Sequence, residues 1–394
     1  MRVWAHQGQE AEHAALQGVF RAFRGALGNS PGGIELSFFP DFQYTEKLAI
    51  AAAAGDMPDA FELDGPLVAR LSSAGLLAPL DPYFTSDEVA DFLPSIVRQG
   101  SYRGRLWALG AFDSAAILYF DRGLLESAGV ALPPPGQGFS WPELLQACAG
   151  LRRRGIRPLA LHMNERVDEW LIYAFGPVVW SGGGALIDSS GTMVRGVLAS
   201  RENIRSLKAW QDLFVLGYAA ADPIDPDEFG NGRVAMDWSG HWMLRSHLER
   251  KGKSLGTMAL PYIDRSVAPC GSWCWGVSAM TERRALAAKW VRWVTDSAHG
   301  VVPLVRANGA IPSRRSAFDA FPEYQRGPFA LFRSLLEERA HLRPHTPFYA
   351  TLTQHFAAAL RDISHGADVN LRLARAEKEV DRVIQRRVRQ RETP

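Results

Sequence analysis

Two indoles sit two positions apart in Gly271-Ser272-Trp273-Cys274-Trp275, on a segment that continues Gly276-Val277-Ser278 with strand-like character. In a strand, positions i and i+2 share a face, so the spacing predicts Trp273 and Trp275 side by side. A second cluster, Asp237-Trp238-Ser239-Gly240-His241-Trp242, lies upstream, and Trp180-Ser181-Gly182 earlier still. Small residues flank all three, which suits a backbone brought close to a ligand. Aromatic platforms beside open backbone grip flat, half-apolar, hydroxyl-rich molecules. A lone Trp is more often a core residue; the clustering of these favours a surface role for some of them.

Catalytic and cofactor signatures were sought next. Gly182–Gly184 lacks a following Lys-Ser/Thr, and no G-x-G-x-x-G follows the first strand, which excludes a phosphate-cradling P-loop and a dinucleotide fingerprint. Neither H-E-x-x-H nor G-x-S-x-G occurs. Of ten histidines only His6, His162 and His241 neighbour other candidate site residues. Asp64 and Asp113 would suit glycoside hydrolysis if roughly 5–10 Å apart, a reading the sequence leaves open. No cofactor or metal is expected.

The elements that must position these groups follow from periodicity. Arg2–Ala5 is a strand. Leu16, Val19, Phe20, Phe23 and Leu27 form an amphipathic stripe, ended by Asn29-Ser30-Pro31-Gly32-Gly33. Ile34, Leu36 and Phe38 alternate as a strand; Lys47–Ala54 is a helix stopped at Gly55; Ala60–Leu63 is a third strand. Strand–helix–strand–helix–strand predicts a parallel sheet with right-handed crossovers. Ligands bind beyond the carboxyl ends of such strands, where His6, Gln7, Asp41, Asp64 and, after a candidate strand at Leu106–Gly110, Phe112-Asp113-Ser114 fall. Further on, Ala115–Phe120 and Arg157–His162 read as strands, the latter entering Met163-Asn164-Glu165. Asp168–Tyr173 reads as a helix, and Trp180–Asp188 as a tight turn into a hairpin. Asn203–Leu216, Ala285–Val294, Phe329–Glu338, Phe348–Ile363 and a terminal segment carrying Leu373 to Val388 are helical.

Composition bounds the class. At 394 residues, two domains of ordinary size are expected. A hydrophobic share of 47% and a charged share of 22% are those of a well-buried globular protein. A formal charge of +2 gives nucleic-acid binding no electrostatic support. Cys148, Cys270 and Cys274 offer neither a disulfide framework nor a four-cysteine zinc site; Cys270 and Cys274 on an extended segment would stand roughly 13 Å apart, so reduced thiols are expected. No apolar run is long enough to span a membrane. No basic leader precedes an apolar stretch, which leaves open a cytoplasmic protein or an exported one in mature form.

Laid out in order, these residues resemble a bacterial family, the extracellular solute-binding proteins of carbohydrate ABC importers, of the maltose/trehalose type. The matching patterns are Ala53-Ala54-Gly55-Asp56-Met57-Pro58-Asp59, Gly75-Leu76-Leu77-Ala78-Pro79-Leu80-Asp81, Leu118-Tyr119-Phe120-Asp121 and Phe229-Gly230-Asn231-Gly232-Arg233-Val234-Ala235-Met236. Trp273-x-Trp275-x-Val277-Ser278, Gly309-Ala310-Ile311-Pro312-Ser313-Arg314 and Arg343-Pro344-x-x-Pro347-x-Tyr349 complete them.

Singly these are weak, and their shared order along nearly the whole chain carries the resemblance. It implies an α/β, two-lobed periplasmic-binding-protein fold (type II-like), each lobe a sheet flanked by helices. The expected lobes are 1–113 with 277–312, and 114–276 with 313–394, joined by hinge strands near Ser114–Leu118, Trp275–Ser278 and Ala310–Arg314. The resemblance implies a di- or oligosaccharide, a maltose- or trehalose-like glucoside first, held by closing lobes. The contacts it implies are His6, Gln7, Gln9, Asp41, Tyr44, Asp64, Phe112, Asp113, Ser114, Trp180, Trp238, His241, Trp242, Gly271, Ser272, Trp273, Trp275, Arg314 and Arg343, with Trp273 a surer contact than Trp275. A glycerophosphodiester or glycerol-3-phosphate ligand is the alternative within the fold. The implied partners are membrane permease subunits, the implied protein a non-enzymatic monomer, periplasmic or anchored outside the membrane.

Overall fold

The computed structural model describes residues 1–28, 33–164 and 168–392. The expected turn at 29–32 and Glu165 lie outside the described residues. The chain divides into two units, Met1–Ser114 with Gly271–Gln325, and Ala115–Cys270 with Arg326–Pro394.

Unit 1 is built on β1 (Arg2–His6), α1 (Glu10–Ala26), β2 (Glu35–Phe39), α2 (Asp41–Ala54) and β3 (Ala60–Asp64). Helix α1 buries Leu16, Val19, Phe20 and Phe23, the stripe its 3–4 spacing predicts, and carries Glu10 and Glu12 in its first turn, where the macrodipole favours them. Gly55 ends α2 in the left-handed conformation that glycine adopts without strain. β1 pairs parallel with β2 and with β3, as the crossover pattern requires.

The strand Trp273–Ser278 adds antiparallel to β3, with Trp273 opposite Asp64 and Trp275 opposite Glu62. Its other edge pairs with Ala108–Leu109 and Leu77–Ala78, so it is an interior strand of a six-stranded sheet. The segment therefore lies in unit 1 from its first residue, where the sequence reading divided it at 276/277. Ile311–Pro312 pairs with Phe112–Asp113, also within unit 1.

Unit 2 centres on a four-stranded sheet in the order Arg157–Ala160, Val234–Gly240, Ala116–Asp121, Leu255–Met258; the first pair is parallel and the others antiparallel. Its core takes in Phe120, Trp141, Leu144, Phe175, Val178, Trp210, Met236 and Trp238 from the sheet and the helices Trp141–Arg153, Asp168–Ser181 and Arg201–Val215. Tyr349–Ser364 and Val369–Glu392 pack against each other and contribute Phe356, Leu360, Leu373 and Val380 to the same core. Trp180 corrects an expectation. It does not open a hairpin but lies in the last turn of the helix Asp168–Ser181, whose stretch Leu171–Trp180 is buried throughout. All three cysteines are buried free thiols, and no described helix is long and apolar enough to cross a membrane. The whole is of the α/β class, as the sequence implies.

Candidate functional site

The parallel strands of unit 1 deliver their carboxyl ends to one edge of the sheet. His6 ends β1, Asp41 opens α2 just beyond β2, Asp64 ends β3, and Trp273 begins the antiparallel strand opposite Asp64. Gly8 turns the first loop with φ +59°, and its N–H donates to Asp41 Oδ1 at 3.0 Å, tying the loop to the α2 N-terminus. A side chain at Gly8 would meet Glu12 and His6 at about 3.2 Å, so the loop closes tightly over them. Gln7 and Gln9 are exposed, as is Asp41.

His6 is 5% exposed. Its ring Nδ1 lies 2.7 Å from Glu62 Oε2, which also accepts its backbone N–H at 3.1 Å, and its Nε2 lies 3.8 Å from Glu12 Oε1. The imidazole lies flat on the Trp273 indole, centroids 3.9 Å apart and planes 7° from parallel. Burial opposes a charge on His6, but Glu62 at hydrogen-bond distance, with Glu12 and Asp41 nearby, more than offsets it and holds the ring's pKa at about 9. Glu12 moves the other way from an ordinary carboxylate: burial pushes it up to about 7 against the pull of His6. Tyr44 is fully buried, its hydroxyl donating to the carbonyls of Trp4 (3.1 Å) and Glu62 (2.8 Å), and its ring meets Trp273 edge-on at 5.6 Å. His6 and Tyr44, expected at the ligand, are buried against Trp273. Trp273 itself remains partly exposed.

The second indole differs. Trp275 is 1% exposed and packs edge-on against Trp290, because its position in the ladder puts it under the helix Arg284–Val294. Of the two indoles expected side by side as platforms, one is partly exposed and the other is a core residue.

Six further expected contacts are buried within unit 1. Asp113 is fully buried; it accepts from Ser95 Oγ (2.5 Å), Ser114 N (2.8 Å) and Gly271 N (2.9 Å). With Ser114 Oγ donating to the Gly271 carbonyl at 2.9 Å, it pins the turn before Trp273, where Gly271 has φ +100°. Ser272 N donates to Gln99 Oε1 at 3.0 Å, and Phe112 is buried beside Asp113. Arg314, 8% exposed, spans Phe92 at 3.9 Å while donating to the Thr295 and Glu88 carbonyls and to Asp91, a clamp inside unit 1.

Unit 2 gathers a different set. Trp242, partly exposed, meets Trp170 at 6.0 Å and Tyr173 at 6.1 Å. Arg343 lies over Tyr173 and donates to Glu169, which also accepts from Tyr349 Oη. His241 is buried against Trp242 and Phe332, its Nδ1 without a hydrogen-bond partner, and burial drives its pKa down to about 3. Trp238 is wholly buried against Phe175, and Trp180 is 2% exposed and stacked on His341 at 4.2 Å; both are core residues, not platforms. Asp237 is held between His162 Nε2 (2.6 Å) and His247 Nε2 (2.8 Å); burial works against its charge, but the two histidines hold its carboxyl below the usual range.

Glu12, Glu62, Glu169, Trp170 and Tyr173 were missed by the sequence reading. Glu62 carries one visible signal, a carboxylate inside an otherwise apolar strand (Ala-Phe-Glu-Leu-Asp). Among the described residues no group of three or more His, Cys, Asp or Glu could hold a metal.

The fold matches known proteins. A maltotriose-binding protein of Pyrococcus abyssi is 25% identical over 361 residues, 86% of this chain and 73% of its own. Brucella abortus relatives named as binding proteins match at 24% over 185 residues, and the match spans only 44% of their length. Among solved structures, the sugar-binding protein MalE from Xanthomonas citri superposes with TM-score 0.83 at 18% identity over 100% of this chain and 99% of its own. UgpB from Mycobacterium tuberculosis, in complex with glycerophosphocholine, does so with TM-score 0.81 at 20% over 98% of each. With the model of the bacterial extracellular solute-binding proteins matching residues 30–300, the chain belongs to that family.

Proposed function

We propose that the protein is the substrate-binding component of a carbohydrate ABC importer and takes a di- or oligosaccharide, a maltose- or trehalose-like glucoside. The observation that carries this reading is Trp273, a partly exposed indole backed by His6 at the strand-end edge of unit 1, beside Asp41 and Asp64. An indole accepts the C–H face of a sugar ring, and carboxylates accept from its hydroxyls. Stacking one sugar face removes ~100 Å² of apolar surface, about 2.5 kcal/mol. Micromolar affinity needs about 8 kcal/mol, so hydrogen bonds to charged groups, about 1.5–3 kcal/mol each, must supply the rest. Asp41 and Asp64, with Gln7 and Gln9 adding neutral hydrogen bonds, are the unit 1 groups assigned to that role.

The P. abyssi relative, named for maltotriose, favours an α-glucoside. The likeness to a glycerophosphocholine-bound structure keeps the glycerophosphodiester alternative as the second reading. A phosphate would meet carboxylates at the unit 1 edge, while Arg343 is already engaged by Glu169, so the sugar is preferred. Hydrolysis by Asp64 and Asp113 has no support, because Asp113 is sealed among its own hydrogen-bond donors. Closing of the units on the ligand, export from the cytoplasm, action as a monomer and docking to permease subunits complete the proposal. A thermal-shift screen of maltose, maltotriose, trehalose and glycerophosphocholine tests it. A saturable rise with a glucoside supports the reading, and a rise with glycerophosphocholine alone replaces it by the alternative.

A further inference from the structure

We propose that Glu62 and Glu12 hold His6 as an imidazolium flat against the inner face of Trp273, making this trio the positioning device of the ligand site. The proposal rests on the reading that the Trp273 edge binds the ligand. Its basis is geometric. A carboxylate stands at each nitrogen of the ring, Glu62 at 2.7 Å from Nδ1 and Glu12 at 3.8 Å from Nε2, an arrangement that favours the doubly protonated ring. Glu62 also takes the His6 backbone N–H, and Tyr44 ties the Glu62 carbonyl to that of Trp4, so the acid and the ring are fixed to two adjacent strands. The imidazolium then lies 3.9 Å behind the indole, as a cation sits over a π face.

A ring stacked on His6 and met edge-on by Tyr44 is held in one orientation, and its partly exposed remainder is the surface offered to a ligand. Preorganisation of this kind removes the ordering cost that a free indole would pay on binding. A cation behind the indole also draws on the same π density that a quaternary ammonium would need in front, so the device suits a neutral C–H face better than a choline group. The charged groups around His6 are Glu12 from α1, Glu62 from β3 and Asp41 from α2. His6 keeps its charge through neutral pH and loses it near pH 9, and Glu12 titrates near 7.

The test is calorimetric titration of the full chain with maltotriose across pH 6–10, on the wild type, Glu62→Gln, His6→Gln and the double variant. In the wild type, affinity is held to about pH 8.5 and falls roughly tenfold as His6 discharges. Glu62→Gln moves that fall to below pH 8 and weakens binding about tenfold at pH 8. His6→Gln and the double variant bind more weakly and have no fall near pH 9; the double variant supplies a neutral amide pair if Glu62→Gln alone does not fold. A structural role would lower affinity equally at every pH and leave the midpoint in place. Wild-type binding whose profile is unmoved by Glu62→Gln and His6→Gln overturns this inference alone. Absence of binding to any compound of the screen overturns the functional reading and this inference with it.

Discussion

The replacement of each indole by alanine separates a platform from a core residue, and the two variants are expected to fail in opposite ways. Trp275 is 1% exposed and lies against Trp290, which also meets Phe20 and Phe23. Trp275→Ala therefore opens a cavity in the core of unit 1 and costs about 3–5 kcal/mol. At roughly 2–4 °C per kcal/mol for a unit of this size, its melting transition drops by about 10 °C. Trp273→Ala removes a partly exposed ring stacked on His6 and costs about half as much stability. Its loss falls on binding: one stacked sugar face is about 2.5 kcal/mol, a factor of ~70 in Kd. Differential scanning calorimetry and isothermal titration with maltotriose at 20 °C, where both variants stay folded, read the two effects separately. Equal loss of affinity in the two variants, or retained affinity in Trp273→Ala, would refute the assignment.

Three other outcomes follow from the same contacts. Asp113→Asn weakens the acceptor that pins Gly271, so it lowers the melting temperature and maltotriose affinity together, and no nitrophenyl glucoside is cleaved by either form. Arg314→Ala destabilises unit 1 by breaking its links to Asp91 and the Thr295 carbonyl, yet is expected to leave Kd within about twofold, since the side chain is buried among those partners. His241 is buried neutral with its pKa lowered to about 3, whereas the unfolded chain protonates it at the ordinary value of 6.5. The unfolded state thus binds the extra proton, and this contribution is complete above pH 6.5 and lost as pH falls toward 3, by about 1.4 kcal/mol per unit. Urea unfolding at pH 7 and pH 5 should differ by about 2 kcal/mol more in the wild type than in His241→Phe; equal differences would disprove it.

Periodicity carried the architecture of unit 1 because its strands alternate or end at clear breakers and its helices have one apolar stripe. The strand-end rule then put His6, Asp41 and Asp64 at one edge from order alone. What it could not read was direction in depth. Val234–Gly240 is buried at every position, so nothing in its pattern distinguishes Trp238, which faces the core, from a platform. Leu171–Trp180 is likewise apolar all round, and Gly176 and Pro177 within it read as the end of a helix that in fact continues to Ser181. Asp113 looked like a ligand group because an acid at a strand end has two uses, and only its three donors decide between them. The His6–Glu62 contact joins residues 56 apart, with Glu12 reaching in from α1, a meeting that no local spacing announces.

The account stands most directly on one titration: maltotriose into the purified protein at pH 7.5, followed by calorimetry, with glycerophosphocholine as the paired ligand. It predicts one saturable site for maltotriose in the micromolar range or tighter, abolished or weakened ~70-fold by Trp273→Ala, and no heat from glycerophosphocholine. Saturable binding of glycerophosphocholine with none of maltotriose would contradict it.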